Sequence, residues 1–144
     1  MRYPQIVVIA NDSWLAKQVQ RLAQENSWLV REARHPQSCM ALIDEPRISL
    51  VILQLADHIP ASLQLIVDVH RTNPATPIVV VCDQKMDSAT QREQLTCLAF
   101  DLGASYVLFP PLQQPVIEDI SAGLMNAAIQ RAIPVQADPE LFDD

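Results

Sequence analysis

The sequence predicts an open, doubly wound α/β fold: a five-stranded parallel sheet in the order 2-1-3-4-5, with five helices on its two faces. Two observations carry this expectation. Short apolar runs alternate with longer helical patterns, the mark of βα units around a parallel sheet. The strongest runs are continuous and rich in Val and Ile instead of alternating, as strands buried on both faces are. Five such units in roughly 130 residues put helices one and five on one face and helices two to four on the other.

Ile6 to Ala10 reads as the buried first strand. Asn11, Asp12 and Ser13 then supply N-cap candidates for a helix from Trp14 to Asn26, whose inward stripe is Leu15, Val19, Leu22 and Ala23. Leu29 to Ala33 is mixed in polarity and so is expected at an edge. A short helix, Gln37 to Asp44, fits between Pro36 and Pro46. Ser49 to Leu55 is the third strand, followed by the loop 56–60 and a helix from Ala61 to Arg71. Ile78 to Cys82 is the strongest strand signal. The fourth helix, Ser88 to Leu102, stops at Gly103, the expected C-cap glycine. Its buried stripe is drawn through Leu95, Leu98, Ala99 and Leu102, which leaves Phe100 pointing nearly the opposite way. Ser105 to Pro110 is the fifth strand. Pro115 opens the last helix, to Ala132, with Ile117, Ile120, Leu124 and Ala128 inward. Residues 1–133 therefore form one domain, and 134–144 an acidic tail expected to be mobile.

Composition excludes several function classes. The net charge is −7 and no Lys/Arg cluster occurs, so a nucleic-acid backbone would be repelled. No stretch approaches the ~20 apolar residues of a membrane helix, and the N-terminus runs straight into a strand, so a cytoplasmic protein is expected. Cys39, Cys82 and Cys97 lack disulfide or metal spacing and read as buried reduced thiols. His35, His58 and His70 lack ligand spacing as well and read as surface or boundary residues. With two glycines, Gly103 and Gly123, no Gly-rich phosphate loop follows any strand. Neither a metal nor a cofactor is expected.

In such sheets function gathers at the carboxyl ends of the strands, here Asn11, Asp12, Gln54, Cys82 and Pro110. The segment Gly103-Ala104-Ser105-Tyr106-Val107-Leu108-Phe109-Pro110-Pro111-Leu112 resembles a signature of response-regulator receiver domains of the chemotaxis type, a flavodoxin-like family. That signature runs Gly-Ala, two variable residues, an aromatic, Leu, a variable residue, Lys, Pro and Phe. The resemblance extends over nearly the whole chain up to Arg131. It implies a phosphate-accepting aspartate where Gln54 stands, and a neutral amide cannot form an acyl phosphate as a carboxylate does. It also implies an acidic metal-binding pair where Ala10 and Asn11 stand, with Asp12 one step late. A Thr or Ser belongs at Cys82, and a lysine at Pro110. Shifting the register by one puts Tyr106 on the aromatic position and Phe109 on the lysine, and restores no lysine. The peptide bond before Pro111 is expected to be cis, as the matching bond of the family is.

A phosphoryl-transfer site needs a carboxylate nucleophile, carboxylates for the metal and a cation for developing charge. The resemblance thus implies a degenerate receiver, a pseudo-receiver without catalytic residues. Gln54 is expected to hydrogen-bond the rim backbone and fill the vacant pocket. Such a domain works by protein contacts, with a partner in a two-component-type signalling complex or with itself. The family's usual surface is helix 4, strand 5 and helix 5. Phe100, Tyr106 and Trp14 are the interface candidates. Phe100 either anchors a partner or leans over the edge of the core, and Trp14 either caps the degenerate pocket or forms a second patch. Two other readings stay open: phosphorylation at an unusual acceptor, Asp57, and small-ligand binding on a flavodoxin-like sheet.

Overall fold

The computed structural model describes residues 2–55, 59–83 and 88–133. The acidic tail expected at 134–144, His58 and the alternative acceptor Asp57 lie outside the described residues. The elements run β1 (Gln5–Ile9), α1 (Trp14–Asn26), β2 (Leu29–Ala33), α2 (Pro36–Ile43), β3 (Ser49–Leu55), α3 (Ile59–Thr72), β4 (Ile78–Cys82), α4 (Ala89–Leu102), β5 (Tyr106–Leu108) and α5 (Gln114–Ala132). All strand pairs are parallel and the order is β2-β1-β3-β4-β5. This is the doubly wound sheet that the alternation of apolar runs predicts.

Because side chains alternate along a strand, each strand feeds two layers. Val7, Ile9, Val51, Leu53, Val80 and Val107 point to the layer shared with α2, α3 and α4, where Cys39, Leu65, Ile66 and Ala99 meet them. Ile6, Val8, Leu50, Ile52, Val79 and Leu108 point to the layer of α1 and α5, against Leu15, Val19, Ile117 and Met125. Helices one and five thus share one face, as expected. Across that face Arg21 donates two hydrogen bonds to the buried Glu118, at 2.7 and 3.3 Å, which ties α1 to α5. β2 is an edge strand, and four of its five residues are partly or fully exposed.

The boundaries differ from the expectation in ways that have causes. β1 starts one residue early, at Gln5, which is fully buried because its amide donates to Leu42 O at 2.8 Å and Ser49 Oγ at 2.9 Å. A polar residue satisfied in this way belongs inside the sheet. Pro36 opens α2 and Pro60 lies within the first turn of α3, where the missing N–H has no helical partner to lose. β5 is three residues long instead of six, since Pro110 and Pro111 have no N–H to extend the ladder. The Pro110–Pro111 peptide is cis.

Gly103 ends α4 as a C-cap, with its N–H shared between Ala99 O and Phe100 O and a φ of 123°. A Cβ there would stand 2.5 Å from the His70 side chain, so the α3–α4 contact itself also requires glycine. Two expectations fail on α4. Leu98 is 43% exposed and not part of the buried stripe. α4 packs on an edge of the sheet, so the covered strip is narrow and centres on Ala99; Leu98 and Phe100 sit about 100° to either side of it. Cys97 is exposed, and only Cys39 and Cys82 are buried. Burial pushes the Cys39 thiol up to about 12, which keeps it neutral and unreactive.

Candidate functional site

The pairing register brings Leu55 beside Cys82 and Gln54 beside Val81. The carboxyl ends of β1, β3 and β4 therefore open onto one rim. Gln54 is its centre. Its Oε1 accepts from the Asn11 backbone N–H at 3.4 Å, and its Nε2 donates to Asp83 Oδ2 at 2.8 Å. One amide thus bridges the ends of β1 and β4 from the strand between them. A carboxylate could make the first contact but not the second, because it has no donor.

The other expected rim residues are placed as follows. Ala10 is buried, and Asn11 and Asp12 are exposed. The Asp12 carboxylate does not face Gln54 in any described contact; its Oδ1 accepts from the Trp14 N–H at 3.0 Å and covers the first turn of α1. Ser13, the formal N-cap, makes no side-chain capping bond. Cys82 lies in the core layer under α2 to α4 at 2% exposure, and Asp83, one residue on, takes the open position at the end of β4. Pro110 is half-buried and offers no donor.

Two residues of this rim escape a reading of the sequence. Asp83 is the first. Its signal is its place immediately after the strongest apolar run. The second is Arg34, which follows β2. Strand order 2-1-3 sets it beside the end of β1, where its Nη1 donates to Ala10 O at 3.0 Å and Asp12 O at 3.2 Å, and its Nη2 to Ser13 Oγ at 3.4 Å. It also pairs with Glu32 at 3.3 Å. Arg34 is thus a rim cation, held in place by main-chain carbonyls on the β2 side of the sheet. No group of three or more His, Cys, Asp or Glu side chains able to hold a metal occurs among the described residues.

The interface candidates are all exposed: Phe100 at 46%, Tyr106 at 43% and Trp14 at 41%. Tyr106 shares the parity of Leu108, so it leans toward the α5 side at the open edge of β5. No helix among the described residues is long and apolar enough to cross a membrane.

No protein-family model and no curated protein matches the sequence. Solved structures do match in shape. The chain is similar to NtrX from Brucella abortus, solved in complex with ADP, with a TM-score of 0.70 at 17% identity; the match covers 95% of this chain and 29% of that one. It is similar to a CheY-like response regulator receiver domain protein from Methanospirillum hungatei, with a TM-score of 0.69 at 13% identity over 90% of this chain and 99% of that one. A response regulator from Thermotoga maritima gives a TM-score of 0.71 at 15% identity over 87% and 99% of the two chains. Sheet order, helix placement and these likenesses agree: the chain has the flavodoxin-like fold of response-regulator receiver domains.

Proposed function

We propose that this chain is a pseudo-receiver: a cytoplasmic signalling module that binds a protein partner, or a second copy of itself, without aspartyl phosphorylation and without catalysis of its own. The reading is carried by Gln54. Its amide stands where a phosphate acceptor would stand and is already engaged with the Asn11 N–H and the Asp83 carboxylate. A nucleophile there would need a free carboxylate, a bound metal and a cation directed at it. The described rim offers Asp12 on a helix start, Asp83 on Gln54 and Arg34 on backbone carbonyls. Receivers act by presenting one of two surfaces, and a chain that has lost the switch can still present one.

Exposed Phe100 and Tyr106 support α4, β5 and α5 as that surface, since large aromatics at an interface centre contribute most of its energy. Incubation with acetyl phosphate and Mg²⁺ followed by intact mass measurement is expected to give no phosphoryl adduct. A stoichiometric adduct mapping to Asp57 would reverse the reading. Phe100→Ala is expected to weaken association by about 1–3 kcal/mol and leave the thermal midpoint nearly unchanged. A sharp fall in the midpoint with association intact would make Phe100 a core residue instead.

A further inference from the structure

We propose that the cavity between β1 and β3 at the carboxyl rim binds a small organic anion, a carboxylate carried on an apolar body. The cavity has a volume of about 380 Å³, inside the range of roughly 300–1,000 Å³ typical of ligand pockets. Its place follows from topology. In the order β2-β1-β3 the chain leaves β1 toward one face and β3 toward the other, and the crevice so opened lies beyond the carboxyl ends of these two strands.

The lining divides by chemistry. Buried Ile9, Leu53 and Leu65 give an apolar floor that water hydrates poorly. Arg34, His35, Asn11 and Ser62 stand around it, nearer to solvent. The chain carries 17 acidic residues against 10 lysines and arginines, yet the described lining contains Arg34 and neither an aspartate nor a glutamate. Asp83 and Glu32 reach Gln54 and Arg34 from outside that described lining, and the arginine within it favours negative charge. One fixed cation suits a single charge better than a phosphate dianion. The guanidinium is pinned by Ala10 O, Asp12 O and Ser13 Oγ, and none of its described hydrogen bonds uses Nε. Glu32, at 3.3 Å, offsets part of its charge, but that pair is exposed and screened. The Asn11 amide and the Ser62 hydroxyl enter no described side-chain hydrogen bond and remain for orienting a ligand. An apolar floor with a few convergent polar groups is what a small-molecule site requires.

Binding here goes beyond the pseudo-receiver reading. Its role as the input that replaces phosphate rests on that reading, whereas the binding itself does not. A phosphoryl adduct would count against the role, and a failed titration against the site.

The test is an amide NMR titration of the full chain with benzoate, phenylacetate and isovalerate, each paired with its neutral amide. At least one carboxylate is expected to give saturable shifts centred on Asn11, Arg34, His35, Gln54 and Ser62. Its amide counterpart should bind weaker by about tenfold or more, the worth of a charge-assisted contact. Arg34→Gln should erase the preference for carboxylate over amide. Because Arg34 also ties the rim, Ala61→Trp provides an independent check: it fills the cavity from α3, removes no described hydrogen bond and should abolish both modes of binding. Shifts that never saturate for any of the three acids, saturate elsewhere, match those of the amides or survive Ala61→Trp would overturn the proposal.

Discussion

The two ends of the sheet hold their polar residues in different ways. At the amino end, Gln5 donates to Leu42 O and Ser49 Oγ. Arg31 Nη1 reaches Gln5 Oε1 at 3.4 Å and Glu45 Oε2 at 2.6 Å, and Arg47 donates to Glu45 at 3.1 Å and to Tyr3 O at 3.0 Å. The result is one connected network around a fully buried amide. At the carboxyl end, Gln54 is half-buried and spans two partners, one of them at 3.4 Å. Arg34 serves separate acceptors there, with no described bond to Gln54. A buried network is rigid because leaving any member unpaired is costly, while a wet rim can exchange partners with water. The amino end is therefore framework, and the carboxyl end is the more adaptable of the two, which is where the proposals above place a ligand or an input.

The comparison breaks first at Gln5. Gln5→Ala should destabilise by about 2–4 kcal/mol, because it opens space in the sheet and strips a donor from Leu42 O and Ser49 Oγ. Urea unfolding monitored by circular dichroism measures this, and a loss smaller than that of the rim variant would invert the contrast. Gln54→Asp should cost less, about 1–2 kcal/mol, since it removes the donor to Asp83 and sets two carboxylates face to face at a solvated site. It should also create no phosphorylation. Mg²⁺-dependent stabilisation of Gln54→Asp would reveal a metal-competent rim and blur the distinction between the two ends.

The smallest expected effect is one of pH. The hydrogen bond from Arg31 holds the Glu45 carboxyl below its usual value, with the charges of Arg31 and Arg47 adding to it and partial desolvation opposing. A depressed folded value means that the unfolded chain takes up the proton first as pH falls. The contribution of Glu45 is thus full above the ordinary carboxylate value of about 4.3 and is lost as pH drops through the lower folded value. Glu45→Gln should narrow the gap to the parent as pH falls across that window. A gap independent of pH would mean that the ion pair adds nothing to the amino-end network.

Much of the fold was legible because burial on both faces writes itself as continuous apolar runs. Ile78 to Cys82 and Leu50 to Leu53 could be little else than central strands, and mixed Leu29 to Ala33 had to be an edge. The helix layers followed from the number of βα units. Leu98 was not legible. A helical period shows which residues share a stripe, but the width of the stripe that is covered depends on how far the sheet extends beneath it, and α4 lies at its border.

For the site, the sequence by itself determined what two positions cannot do: residue type alone says that Gln54 cannot form an acyl phosphate and that Pro110 cannot donate. Only the tertiary structure decided what surrounds Gln54. Asp83 and Arg34 lie 29 and 20 residues from Gln54 along the chain; the place of Asp83 after an apolar run marks a strand end, but nothing local says which strand ends share a rim. They meet at the rim because parallel pairing aligns the carboxyl ends of strands that are distant in sequence, and hydrogen bonds at 2.8 to 3.4 Å depend on that alignment. The cavity between β1 and β3 has the same origin, since a crevice is a property of where strands and helices part and no single segment encodes it.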